Sequence, residues 1–127
     1  MQFDKSHIFS LPSVNIINAT PHPLNFEVNG EIVVIPVVDG LAKVITAVPV
    51  EVAVPSSLNV ELVKVQFNPS DLGLAYLLSV PGGVCVVGSL IAAQAFGSPI
   101  VALVPAPGFE RVPPDQRRMR HDKFTVF

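Results

Sequence analysis

Between Asp71 and Glu110 the chain carries no charged side chain. So long an uncharged stretch must be buried, in protein or in lipid, and that choice decides what the chain can fold into. A membrane-spanning helix needs about 20 consecutive apolar residues. Gly82-Gly83, Gly97-Ser98-Pro99 and Pro105 cut this run into pieces too short to span. The segment from Pro81 to Pro105 therefore reads as a buried strand (Val84–Val87), a turn at Gly88-Ser89, a short helix (Leu90–Phe96) and a second buried strand (Ile100–Val104). The spacing between the strands is about the minimum for a parallel crossover. With parallel strands, Gly88-Ser89 and Pro105-Ala106 meet at one edge of the sheet, where ligands bind in α/β folds.

Upstream, Leu24-Asn25-Phe26-Glu27-Val28 alternates apolar and polar, then comes Asn29-Gly30, then Glu31-Ile32-Val33-Val34-Ile35. Asn-Gly suits a two-residue type I′ hairpin because both central residues need φ > 0. That turn pairs Phe26 with Val33 and Leu24 with Ile35 on the core face. Asp39-Gly40 predicts a second turn into a strand over Leu41–Val48, which makes a three-stranded meander. Val50–Val54, between Pro49 and Pro55, reads as an edge or an extended link. Val60–Phe67 reads as a strand whose Glu61 and Lys64 imply a bulge or an exposed end. Ser70 or Asp71 caps a helix over Leu72–Val80. Val14–Asn18 is a short strand. Residues 1–12 form an arm that packs on a neighbour, and Lys123–Phe127 is a final strand. The expected fold is a single α+β domain over residues 1–127: an N-terminal antiparallel β-meander packed with a C-terminal strand-helix-strand unit and a terminal strand.

Of the 127 residues only 14% are charged, against about 25% in an average soluble domain. Apolar surface left by so few charges is commonly covered by another molecule. This predicts a homo-oligomer, with the N-terminal arm and the Phe-ended strand as the exchanging elements. The net charge of −2 offers no field for nucleic acid or a membrane surface. Its distribution is uneven. Residues 1–108 hold three lysines against seven carboxylates, whereas the tail 109–127 holds five basic groups against three acidic ones. A tail-to-body ion pair, within or between chains, is the expected consequence. The lone Cys85 lies in an apolar run and has no partner for an internal disulfide. With no basic-then-apolar leader over Met1–His7, the reading is a cytoplasmic protein.

Candidate sites are few. Gly88-Ser89, as N-cap to the short helix, presents backbone N–H groups to an anion; the simpler reading is an ordinary cap. Thr20 and His22, with Asn18, gather in a stiff Pro-His-Pro turn, where His22 is a possible base or ligand donor. The simpler reading is that their side chains bond turn carbonyls. Arg111, Arg117, Arg118, Arg120 and His121 form a basic cluster, from which Arg111 and Arg118 are the expected partners for an anion at Ser89. Cys85 has nothing beside it to activate the thiol. The three histidines lack ligand spacing, so neither a metal nor any other cofactor is expected.

Three segments, Val14–Pro23, Val86–Ala95 and Ala106-Pro107-Gly108-Phe109 onward to Phe127, resemble a group of small proteins of filamentous fungi with shorter relatives in bacteria and phages. These share an Asn-x-Thr-Pro-His strand end. The resemblance directs attention to His22 and the Gly88-Ser89 turn but implies no activity. The functional expectation is a non-enzymatic, self-associating protein. The alternative is a binding module for a small phosphate-bearing metabolite or nucleotide, and the third reading is a small hydrolase with His22 as base.

Overall fold

The computed structural model describes residues 1–127. Strands β1 (Ile8–Ser10), β2 (Asn15–Asn18), β3 (Leu24–Val28) and β4 (Glu31–Ile35) lead into a one-turn helix α1 (Leu41–Val44). A long hairpin, β5 (Ala47–Val54) and β6 (Leu62–Pro69), precedes helix α2 (Asp71–Leu78). The chain closes with β7 (Val84–Val87), α3 (Leu90–Phe96), β8 (Ile100–Pro105) and β9 (Met119–Thr125). Seven strands form one sheet in the order β1-β2-β7-β8-β9-β3-β4, and β5-β6 stands apart as a two-stranded ribbon.

At the centre, β2, β7 and β8 run parallel. Parallel strands are buried on both faces, which is why Ile16, Ile17, Val86 and Val87 have no exposed surface. Ser89 caps α3 through its Oγ, which accepts from the Ala92 N–H at 3.1 Å. The α+β layout is as expected, and the strands flanking α3, whose relative direction the sequence leaves open, are parallel. The β3-β4 hairpin has the expected register, Leu24 opposite Ile35 and Phe26 opposite Val33. Asn29 (φ 51°) and Gly30 (φ 81°) supply the two positive φ angles of its turn.

Alternation along the strands divides the core in two. Ile17, Val86 and Ile100 point to the helices, where Leu41, Tyr76, Ala92 and Ala93 cover them. Ile16, Val87 and Val101 point the other way and meet Leu24, Phe26 and Ile35, all strand residues. With no helix on that side, the sheet itself must curl to bury Ile16 and Phe26, both 0% exposed; each contributes about 1.5–3 kcal/mol by burial. Two polar contacts tie segments next to non-adjacent strands across the curl. Asn18, at the end of β2, donates to the Pro36 carbonyl beyond β4 at 3.2 Å, and the Ser13 hydroxyl bonds the His121 carbonyl in β9.

Several expectations are corrected or narrowed. Residues 41–48 are not the third meander strand: Leu41, Val44 and Ile45 fall at helical spacing and all three are buried. The meander stops at β4, and residues 47–54 pair with β6 instead. Of the two readings of residues 50–54 the edge holds: β5 is an eight-residue strand of a two-stranded ribbon that includes Pro49. Of the two readings of β6 the exposed one holds, since the β5-β6 register runs without a bulge. Alternation is not enforced there because neither face of the ribbon is buried. Finally, both ends of the chain are paired within this fold. Residues 4–10 form a capped 3-10 turn and β1, paired with β2. The tail strand begins at Met119, not at Lys123, and lies inside the sheet between β8 and β3. No helix is long and apolar enough to cross a membrane.

Candidate functional site

The carboxyl ends of β2, β7 and β8 lie at one edge of the sheet, joined there by the starts of β3 and β9. A cleft of about 610 Å³ opens at this edge. It lies where the chain leaves β7 for α3, beside the point at which strand direction reverses between β8 and β9. Crevices outside the carboxyl ends of parallel strands are the usual binding positions of such sheets.

Leu24, Leu90, Leu103, Met119 and several prolines form the apolar wall. The polar groups are Thr20, His22, Asn25, Ser89 and Arg117, and no carboxylate is among the lining residues. The chain thus brings Thr20, His22, Gly88 and Ser89 together across more than sixty residues of sequence. The two expected arginines are not with them. Arg118 pairs with Glu27 at 2.6 Å and lies over the Phe109 ring at 5.1 Å, so the tail-to-body ion pair forms within the chain. Arg111 sits on the exposed loop before Pro113-Pro114, outside the cleft lining. Their place is taken by Arg117, which follows a 3-10 turn over Pro114–Gln116 and pairs with no acidic group. The run Arg117-Arg118 hides this choice, because which of two neighbours faces a cleft depends on the turn before them. Asn25 was missed too. Its side chain lies on the face of β3 opposite the buried Leu24 and Phe26, where sequence shows only a polar strand position.

The His22 loop is fixed from beneath. Asn18 is 0% exposed. Its Nδ2 donates to the carbonyls of His22 (2.8 Å) and Pro36 (3.2 Å). Its Oδ1 accepts from the Thr20 N–H (2.9 Å) and the Thr20 hydroxyl (2.7 Å). Thr20 Oγ1 also lies 2.9 Å from the His22 carbonyl, so one proton serves two oxygens. Thr20 is therefore a brace for the turn, as the simpler reading held. The His22 imidazole itself is exposed and bonds no group of the chain.

At Gly88 a Cβ would lie 2.9 Å from Ile100 Cγ2, so glycine lets the β7–α3 turn lie flat on β8. Gly88 contributes shape and Ser89 a donor: Ser89 Oγ accepts from Ala92, which leaves its own proton for another acceptor. Cys85 and Tyr76 lie elsewhere. Burial pushes the Cys85 thiol up, away from the reactive thiolate. Burial also pushes the Tyr76 phenol up to about 12. Its O–H lies 2.8 Å from His7 Nδ1, and that nitrogen accepts from the Asp4 N–H as well, so Tyr76 is the donor in a structural bond. No group of three or more ligating side chains is positioned to hold a metal ion.

Comparison with models of known families, with curated proteins and with solved structures finds no match to this chain.

Proposed function

We propose that this protein is a non-enzymatic, self-associating module of the cytoplasm whose cleft holds a small phosphate-bearing metabolite. One observation carries the ligand reading: four side chains with donors to spare (Arg117, His22, Asn25 and Ser89) line a single, otherwise apolar cleft that contains no carboxylate. Pockets of this kind, apolar with a few convergent polar groups, are the usual form of small-molecule sites. An acidic group on the ligand is what such a donor set recognises, and a guanidinium takes phosphate in bidentate fashion. Against the hydrolase reading, no acid lines the cleft to orient His22, and Ser89 Oγ already serves as a helix cap. Self-association is favoured by the ribbon, whose valines from Val48 to Val54 are each about two-fifths exposed or more. Membership in the group with the Asn-x-Thr-Pro-His strand end belongs to the same proposal.

The test is calorimetric titration and thermal shift with inorganic phosphate, a sugar phosphate and AMP, on wild type, Arg117→Ala and Ser89→Asp. Charge-assisted hydrogen bonds contribute about 1.5–3 kcal/mol, so Arg117→Ala should weaken the best of these ligands by about 10- to 100-fold. Ser89→Asp, placing a negative charge in the cleft, should abolish binding. Affinity unchanged in both variants, or no binding by wild type, overturns the ligand reading.

A further inference from the structure

Apart from Ala47 and Pro69, which pair at its base and are half-buried, every residue of the ribbon β5-β6 is exposed. Val50, Val52 and Val54 on one strand and Val63, Val65 and Phe67 on the other are 39% to 48% exposed. Helix α3 approaches both strands but leaves these side chains open to solvent, and a two-stranded hairpin is by itself at best marginally stable in water, so this one has room for further strands.

Its backbone shows where another strand can join. In an antiparallel pair, alternate positions exchange both hydrogen bonds while the positions between them direct N–H and C=O outward. Pro49 and Pro69 lack the N–H needed for bonded pairs, and both occupy odd positions in the register, opposite Phe67 and Ala47. The odd residues therefore face outward. On β5 this places Pro49 on the outer edge and blocks it. On β6 it leaves Val63, Val65 and Phe67 presenting three consecutive open sets of N–H and C=O groups. The main sheet's edges offer less: β1 is three residues long, and β4 ends at Pro36.

We infer that the occupant of this edge is β6 of a second copy, related by a two-fold axis, so that two ribbons merge into one four-stranded sheet. This rests on the self-association reading and adds its location and register. With Val65 opposite Val65 of the partner subunit, Val63 falls opposite Phe67 and Phe67 opposite Val63, so all three open positions bond on each chain. The same register sets Lys64 opposite Gln66. A shift that centres Lys64 on the axis opposes two like charges, which is destabilising. A shift that centres Gln66 brings Pro69 into a bonded position it cannot fill. The side chains agree with the choice, because Val-Val and Val-Phe are favourable cross-strand pairs.

The experiment uses the full chain. Wild type measured by size-exclusion chromatography with light scattering should have twice the 13.5 kDa chain mass. Val65→Pro removes an outward N–H and leaves the β5-β6 bonds in place, as Pro49 does, and should halve the mass while circular dichroism stays unchanged. Bonded residues directly opposite lie about 5.5 Å apart at Cα, within disulfide reach. Val65→Cys should therefore cross-link to a dimer on mild oxidation, while Lys64→Cys, diagonal to its own copy, should not. Should Val65→Pro fail to fold, the cysteine pair decides alone. A monomeric wild type overturns both self-association and this edge. A dimeric wild type in which Val65→Cys does not cross-link overturns the edge only.

Discussion

Asn18→Ala is the most informative substitution for the cleft. The side chain is fully buried and makes five hydrogen bonds, to Thr20 twice, His22, Pro36 and, at 3.5 Å, Ile35. Alanine fits the space but bonds none of these partners. Three strong bonds are lost: the Thr20 N–H and the Pro36 carbonyl lose their Asn18 partner outright, while the His22 carbonyl loses Nδ2 but keeps the Thr20 hydroxyl. At about 1 kcal/mol per net bond, with more for groups left buried and unpaired, the loss is about 3–4 kcal/mol. That is a large part of the 5–15 kcal/mol by which domains are stable. With an m-value of about 2 kcal/mol per molar urea, the midpoint should fall by about 1.5–2 M. Asn18→Asp separates bonding from volume. Its carboxylate keeps the two accepted bonds but cannot donate to the carbonyls, so it should be at least as unstable near neutral pH and recover on acidification, when a protonated acid donates once. The assay is equilibrium urea unfolding at pH 7 and pH 4. A midpoint change below about 0.5 M for Asn18→Ala would refute the claim that this side chain holds β2 to β4.

Three further outcomes follow from single contacts. Gly88→Ala sets a Cβ 2.9 Å from Ile100 Cγ2 and 3.4 Å from Ala92; overpacking of this size costs about 1–3 kcal/mol, read as a lower urea midpoint, and no change would mean the β7–α3 turn moves freely. Ser89→Ala removes the cap on Ala92 and should cost about 1 kcal/mol by the same assay. Tyr76 has its folded pKa raised by burial to about 12 from 10. The neutral phenol is the form the fold favours, so its contribution is complete below pH 10 and is lost as pH rises toward 12. Alkaline unfolding curves should therefore show wild type losing more stability than Tyr76→Phe across that window, and parallel curves would contradict it.

Local signals served well where one interaction dominates. Asn29-Gly30 determined a turn type, and the turn determined the Leu24–Ile35 register. The uncharged run, cut by glycine and proline, determined a strand–helix–strand with Ser89 as cap, while the parallel pairing of the two strands was left to the tertiary structure. Leu41–Val44 misled because apolar residues in a short run satisfy a strand or one helical turn, and only the packing partners beneath them choose. Pro49 marked an edge, since proline is barred from a strand's interior bonds but not from an edge, but that the edge strand runs through Pro49 from Ala47 to Val54 was decided only by its pairing with β6.

The same division holds for the site. Sequence determined that Thr20, His22, Gly88 and Ser89 stand at strand ends, since prolines and a cap mark those positions by local chemistry. Tertiary structure alone decided that the ends meet, through the parallel order β2-β7-β8. It also decided that Arg117 rather than Arg111 or Arg118 completes the cleft, because Glu27 on β3 engages Arg118 across the β3-β9 pairing. Such choices depend on contacts between residues nearly a hundred positions apart, and no periodicity or propensity within either segment encodes them.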